Sequence, residues 1–364
     1  MSAEQSSSLP VTEHKDATRP VAAGLVLFGI LAVAAFLGAL AIGPFSIAPG
    51  RIIAVMWEAW SGVETHTSAM LRERVVVMDV RFPRAVLGVL VGAGTAVAGA
   101  IMQGVFRNPL ADPGLIGVAP GAGLAAVAWM VIGSSFLVHL PDFFQVMGLP
   151  LAAFFGGLVT TLLISRLATR DGRTSVATLL FAGLALGAMA AAGTGVLVFI
   201  ATEQQTRELL FWTMGSLAGA TWIKVAMAAP FVAALLVLSP FLARGLDAMA
   251  LGEAEAYHVG IPVERLKRIA IVAVAAGVGA AVAAAGVVGF IGLMVPHLAR
   301  LALGPSHRAL LPASAMLGAA VLLAADIFAR MVAPPAEVPL GIVTALVGAP
   351  FFLWLLLRRR AFVG

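Results

Sequence analysis

Long apolar stretches alternate along this chain with short polar segments. A transmembrane helix needs about 20 consecutive, mostly apolar residues, and a charge at its centre costs about 2.5–3.5 kcal/mol on insertion scales. Stretches without Asp, Glu, Lys or Arg therefore predict the membrane spans. These stretches are 20–50, 85–106, 113–141, 143–165, 174–202, 209–223, 225–243, 269–299, 309–325 and 338–357.

Two of these stretches do not fit a single ordinary span. Leu209–Ile223 is short and holds two tryptophans, which favours an interfacial or re-entrant segment. Ile269–Ala299 is too long for one span, and the glycines around Gly286–Gly292 together with Pro296 predict a full helix followed by a short one. The pattern thus predicts an all-α, polytopic membrane protein of about ten transmembrane helices.

The distribution of cations orients these helices. With the N-terminus inside, 15 of the 23 Lys and Arg residues fall on the cytoplasmic side, as the positive-inside rule favours. An even number of spans then returns the C-terminus to the cytoplasm. We expect one transmembrane domain over residues 21–358, a disordered cytoplasmic tail over 1–20 and a cytoplasmic tail over 359–364.

Composition agrees with a membrane protein and argues against several activities. The chain is 61% hydrophobic and 11% charged, with a mean hydropathy of +1.02, whereas a soluble domain carries roughly 25% charged residues. Its net charge of +5 is what loop cations would produce, so nucleic acid is not an expected partner. The sequence has no cysteine, no P-loop, no HExxH motif and no residues at metal-ligand spacing. We therefore expect this chain to bind no cofactor and no metal.

Two ionisable residues near the spans are candidates for function. For His297, a helix-end histidine bonded to backbone is favoured over a ligand by about three to one. Asp326 precedes Arg330 by four residues, a spacing that suits an ion pair on one helix. A structural anchor and a role in transport are about equally compatible with that pair.

Two polar segments and a set of glycines add detail. Arg107–Gly114 holds two prolines and a glycine, so it cannot be a continuous helix; it is either an ordinary cytoplasmic turn or a constriction loop. Arg244–Arg268 predicts two short helices broken at 260–262, with Pro262 as the first residue of the second. The spacing of Gly88/Gly92, Gly117/Gly121 and Gly183/Gly187 predicts close helix packing.

Several motifs, in order, resemble one transporter family. Residues 81–84 read RFPR, and residues 92–123 read GAGTAVAGAIMQGVFRNPLADPGLIGVAPGAG. The likeness continues through FWTMGSLAGATW, LGEAEAYHVGIPVERLKR, GFIGLMVPHLARLALGPSHRALLPASAMLGA, ADIFAR and EVPLGIVTALVGAPFFLWLL. Over nearly the whole chain after about residue 20, these segments resemble the permeases of ABC importers for vitamin B12, haem and ferric siderophores.

The resemblance implies a type II importer permease, a homodimer in the inner membrane with its pathway on the two-fold axis. Two separate ATPase subunits would hold ATP and Mg²⁺ inside, and a periplasmic substrate-binding protein would dock outside, so this chain is not itself an enzyme. By motif, the resemblance implies docking by Arg81, Arg84 and Arg330; a cytoplasmic gate at Asn108, Pro109, Leu110, Thr174 and Ser175; and ATPase coupling, within 247–268, by Leu251, Gly252, Glu253, Ala256, Gly260, Ile261, Pro262 and Leu266.

The substrate is less closely specified by the resemblance. The stretch RNPLADPGLIG is more similar to haem and vitamin B12 permeases than to the RNPLASPDILG type common in siderophore permeases. Haem is therefore the first expectation, with vitamin B12 or a ferric siderophore as alternatives. A stand-alone secondary transporter is a more distant alternative, because it would be expected to hold several buried carboxylates and the spans offer little beyond Asp326.

Overall fold

The computed structural model describes residues 18–62, 68–133 and 141–360. Most of the two expected tails, 1–17 and 361–364, lies outside this part of the chain. Helices dominate the described residues, as the apolar stretches predict. In chain order they are α1 (Thr18–Ala41), α2 (Pro49–Ser61), α3 (Ser68–Val75), α4 (Phe82–Phe106), α5 (Val118–Val131), α6 (Asp142–Ala168), α7 (Val176–Ile200), α8 (Glu203–Thr213), α9 (Trp222–Leu251), α10 (Glu253–His258), α11 (Val263–Ala285), α12 (Ile291–Leu303), α13 (His307–Val332) and α14 (Leu340–Arg360).

Three short elements complete the described chain. A π-helical turn, Val76–Arg81, joins α3 to α4, and a 3-10 turn, Pro113–Ile116, precedes α5. Between α6 and α7 lie strands β1 (Thr169–Arg170) and β2 (Arg173–Thr174), which pair antiparallel.

The expected number of spans is confirmed. Within the described residues, seven helical stretches are long and apolar enough to cross a membrane, one of them running continuously from Met70 to Phe106. The shorter apolar helices α5, α12 and α14 raise the number to about ten. At 1.5 Å per residue, the seven long stretches, of 21 to 37 residues, are long enough for about 30 Å of hydrocarbon.

Neither exceptional stretch forms a single span, as predicted. Leu209–Ile223 does not form a span, because α8 ends at Thr213 and α9 begins only at Trp222. Ile269–Ala299 divides into the full helix α11 and the short helix α12. The break begins at Gly286, whose φ of 71° is one that glycine adopts without strain.

The prediction of two short helices over Arg244–Arg268 is wrong in part. The chain up to Leu251 continues the long helix α9, and the chain from Val263 belongs to the long helix α11, so only α10 is short. Pro262 is the N-cap residue of α11 and not its first helical residue. Exposed charges such as Arg244 do not end a helix at the membrane edge, since long cationic side chains reach water from its surface.

Helix α4 forms the centre of the bundle. It packs against α13, α9, α11 and α12, and nearly all of its residues are buried. Glycines permit the closest contacts: a Cβ at Gly92 would lie 2.4 Å from the carbonyl oxygen of Gly318, and one at Gly99 would lie 1.7 Å from that of Gly292. The Gly88/Gly92 pair therefore marks a close helix contact, as predicted.

Helices α1 and α7 lie at the edge of the bundle. Only 6% and 11% of the residues in the most apolar 18-residue segments of α1 and α7 are buried. Phe199 of α7 is 89% exposed. Apolar surface that stays exposed along most of a helix marks a contact with a membrane or with another protein. These helices therefore present surfaces that suit lipid or a partner.

The long helices carry polar groups to two opposite ends of the bundle. At one end, Arg84 near the start of α4 contacts Asp326 near the end of α13. At the other, His307 at the start of α13 lies against Gly104 near the end of α4, where an added Cβ would be 2.7 Å from its Nε2. We call the first the arginine end and the second, which also carries α10 and the β1–β2 hairpin, the coupling end.

Candidate functional site

Arg84 is the centre of a charge cluster at the arginine end. Its Nη2 donates to Asp326 Oδ1 at 2.9 Å and to Glu337 Oε2 at 2.8 Å, and its Nη1 donates to Glu337 Oε1 at 2.8 Å. Planar guanidinium groups suit such bidentate contacts. The hydrogen bonds from Arg84 lower the pKa of the Glu337 carboxyl against the opposing effect of partial burial. The arginine is therefore neutralised within its own chain.

Arg81 and Arg330 hold the end of α1. Arg81 Nη1 donates to the carbonyl oxygens of Leu40 and Ala41 at 2.7 and 3.0 Å, and Arg330 Nη2 donates to that of Ala39 at 2.7 Å. The last carbonyls of a helix have no partner within it, and cations near them are favoured. These two arginines thus cap the C-terminus of α1.

The three arginines implied in docking lie together, but beneath the surface. Arg81, Arg84 and Arg330 are 4%, 6% and 3% exposed. All three donate to acceptors of this chain, so contact with a binding protein would require them to exchange partners. Their docking role stays a prediction.

The ion pair expected within α13 is secondary. Arg330 Nε lies 3.9 Å from Asp326 Oδ2, whereas Arg84 reaches the same carboxylate at 2.9 Å. Spacing along one helix identified the local pair but could not identify partners 242 and 253 residues apart. Glu337 was missed for this reason.

At the coupling end, the predicted break in Arg107–Gly114 is confirmed. Arg107 ends α4 with a left-handed φ of 50°, and Asn108 Oδ1 accepts a hydrogen bond from the Leu110 amide at 2.9 Å. The Leu110 side chain is 40% exposed. Asp112 then accepts from the Gly114 amide at 2.7 Å, and burial raises the pKa of this carboxyl. Asn108, Pro109 and Leu110, whose role in a gate stays a prediction, thus lie in a turn held by the Asn108 side chain.

The other two residues implied in the gate lie at the end of the β1–β2 hairpin, Thr174 in β2 and Ser175 directly after it. Thr174 pairs with Thr169 across the hairpin, and their hydroxyls lie 3.0 Å apart. Ser175 Oγ accepts from the Thr178 amide at 3.2 Å and so caps the N-terminus of α7. Thr174 and Ser175 therefore form the junction between α6 and α7.

The implied coupling residues surround α10. Gly252 has a φ of 141°, a backbone angle that residues with a side chain rarely adopt. This angle lets the chain turn from α9 into α10. Ala256 is fully buried, whereas Leu251, Tyr257 and Val259 are 79%, 73% and 66% exposed. Of the other implied residues, Leu266 is buried, Ile261 is partly buried, and Glu253, Gly260 and Pro262 lie at the two ends of α10. Exposed apolar side chains in a polar segment form a candidate contact surface for a protein.

The histidine expected at a helix end lies elsewhere. His297 is in the middle of α12 and 5% exposed, with its ring 6.1 Å from that of Phe351. Within the described residues, no group of three or more His, Cys, Asp or Glu side chains could hold a metal ion. A second polar residue, Lys267, is also buried, at 1% exposure, and the local sequence gives no signal of this.

Comparison with known proteins adds a family and a fold. The sequence model of the FecCD transport family matches residues 30–358. The hemin transport system permease HmuU of Yersinia pestis is 40% identical over 337 residues, which cover 92% of this chain and 94% of that protein. The cobalamin import permease BtuC of Halobacterium salinarum is 41% identical over 287 residues, covering 79% of this chain and 74% of that protein.

Further similarities agree with these two. The vitamin B12 import permease BtuC of Klebsiella pneumoniae is 40% identical over 293 residues, covering 79% of this chain and 84% of that protein. A metal-chelate type ABC transporter solved in an inward-facing conformation superposes with a TM-score of 0.78 at 29% identity, covering 92% of this chain and 98% of the solved one. Sequence and structure thus point to the same group of proteins.

Proposed function

The chain belongs to the FecCD transport family, and from this premise we propose that it is the membrane permease of an ATP-driven importer of haem. The family match over residues 30–358 carries the proposal. A permease of this kind contributes the pathway, and a separate subunit hydrolyses ATP. Transport then proceeds by alternating access, in which the gates at the two membrane faces open in turn.

The share of this chain that aligns with each relative favours haem among the possible substrates. The hemin permease of Y. pestis aligns with 92% of this chain, whereas the cobalamin and vitamin B12 permeases align with 79% at nearly the same identity. Vitamin B12 or a ferric siderophore is the alternative within the same mechanism. All are large ligands, so a wide, mostly apolar pathway between two copies of this chain is part of the proposal.

The two ends of the bundle would have different partners. The exposed apolar side chains Leu251, Tyr257 and Val259 would enter a cleft of the ATPase on the cytoplasmic side. The arginine end would face outward, where Arg81, Arg84 and Arg330 would meet carboxylates of a substrate-binding protein. The charge count favours this orientation, which places both termini in the cytoplasm.

Reconstitution tests the proposal. The chain is purified from native membranes with its partners, placed in liposomes and supplied with binding protein loaded with either hemin or cyanocobalamin. We expect ATP-dependent uptake of hemin, followed by its Soret absorbance, and little uptake of cyanocobalamin. The reverse preference would assign the cobalamin alternative. Uptake by the chain alone under a proton gradient would overturn the ATP-driven mechanism.

A further inference from the structure

Lys267, near the start of α11, is a buried cation outside the residues that the family resemblance implies. It is 1% exposed and among the largest fully buried side chains of the described protein. Burial of an ammonium group is unfavourable unless every charge and hydrogen bond is satisfied. A lysine at a helix end normally extends its amine into water. Its burial here therefore requires an explanation.

The ammonium group joins three separate elements. Lys267 Nζ donates to Glu253 Oε2 in α10 at 2.7 Å, to Glu264 Oε1 in α11 at 3.3 Å and to the Thr174 carbonyl oxygen in β2 at 3.1 Å. An ammonium has three donors and no acceptor, so its hydrogen-bonding capacity is fully used. One side chain thus connects a coupling residue with a gate residue.

A second hydrogen bond fixes the same strand. Glu264 Oε2 accepts from the Thr174 amide at 2.8 Å, so both backbone groups of Thr174 are held by the Lys267–Glu264 pair. The next residue, Ser175, donates its amide to the Ala168 carbonyl at 3.0 Å and caps α7. A displacement of Thr174 would therefore move the end of α6 and the start of α7.

Among the described residues, Lys267 joins α10 to the hairpin by its hydrogen bonds to Glu253 and Thr174. A cleft of about 650 Å³ opens beside the ion pair, lined by Arg173, Tyr257 and Glu264 among others. We propose that Lys267 is a positioning residue that makes α10 and the hairpin move as one unit, so that force from the ATPase reaches the gate. This inference rests on the proposed function.

The test measures ATP hydrolysed per substrate imported in the assembled, reconstituted transporter. Lys267→Met keeps an apolar stem in the buried site and removes the ammonium. Arg308→Met, which changes an exposed cation outside the coupling segment 247–268, is the matched control. We expect Lys267→Met to hydrolyse ATP while the ratio of ATP to imported hemin rises about tenfold, within the range of about 5–150-fold typical of coupling between sites. The ratio for Arg308→Met should stay at the wild-type value, and Lys267→Arg should restore part of the coupling.

A second variant keeps the inference testable if Lys267→Met does not assemble. Glu253→Gln removes the carboxylate charge from the α10 side, where the side chain is 35% exposed, so that at most a weaker, neutral acceptor remains, and it leaves Lys267 paired with Glu264. It should raise the same ratio, and the two changes together should raise it no further than Lys267→Met alone. A wild-type ratio in Lys267→Met, or in Glu253→Gln if only that variant assembles, would overturn the inference, as would an equal loss of hydrolysis and uptake. Lack of ATP-dependent uptake of hemin or cyanocobalamin by the unaltered transporter would overturn the proposed function as well.

Discussion

Replacing Arg84 with methionine tests whether a buried charge network holds the arginine end together. The change would leave the Asp326 carboxylate, 1% exposed, with Arg330 at 3.9 Å as its nearest cation. Glu337 would also lose its guanidinium partner, but its side chain is 30% exposed and can be hydrated. The loss of stability should therefore come mainly from the buried Asp326 carboxylate.

The expected magnitude follows from that burial. Removing one partner of a buried ion pair costs about 3–5 kcal/mol, because the other charge stays buried without compensation. A partly exposed pair such as that with Glu337 adds roughly 0–1 kcal/mol. We expect Arg84→Met to lower the free energy of unfolding by about 3–5 kcal/mol. The double variant Arg84→Met/Asp326→Leu should recover most of this loss, because the buried Asp326 carboxylate that Arg84→Met leaves without its main partner is then also removed.

The assay is reversible unfolding in mixed detergent micelles, followed by tryptophan fluorescence. Arg207→Met is the matched control, because that arginine is 66% exposed and its partner Glu203 lies 3.5 Å away at 86% exposure. The control should change the free energy of unfolding little. Equal effects of Arg84→Met and Arg207→Met would refute the reasoning, and so would a double variant as unstable as Arg84→Met alone.

Three further predictions concern backbone contacts and pH. Gly99→Ala should destabilise the bundle by about 3 kcal/mol or more in the same unfolding assay, because its Cβ would lie 1.7 Å from the backbone oxygen of Gly292. Gly123→Ala, at a position with open space around it, is the control. Equal stability of the two variants would contradict the packing. Gly252→Ala should strain the turn from α9 into α10 by about 1–3 kcal/mol, because the residue there has a φ of 141°. The variant should therefore show less ATP-driven uptake, and unchanged uptake would argue against a fixed turn. The lowered pKa of Glu337 gives stability that is complete above its unfolded-state pKa and is lost as the pH falls through its folded-state pKa. Glu337→Gln should reduce the acid-side loss of unfolding free energy, and an unaltered pH profile would contradict this assignment.

The sequence predicts the spans well because the signal for a span is local. A charge-free stretch of sufficient length is costly to place in water and favourable in lipid, whatever its neighbours. The sequence also predicts the breaks after Phe106 and at Gly286, since proline restricts the backbone at its own position and glycine permits conformations that other residues avoid. Such features need no knowledge of the rest of the fold.

The polar networks could not be predicted because their members are distant in the chain. Arg84 and Glu337 are 253 residues apart, and Lys267 is buried by the β1–β2 hairpin, 93 residues before it. By composition Lys267 is an ordinary loop cation near the membrane. Only the packing of α10 and the hairpin over it distinguishes this residue from the exposed Arg268.

The tight β1–β2 turn also limits how the bundle can rearrange. Only Asp171 and Gly172 separate the two strands, both with positive φ, and two residues extend by at most about 7 Å. While the strands stay paired, the connection between α6 and α7 is therefore short. Neither helix can then slide far along its axis unless the other follows. Large shear between them would first have to break the β1–β2 pairing, so the turn favours a motion in which the two helices rock together.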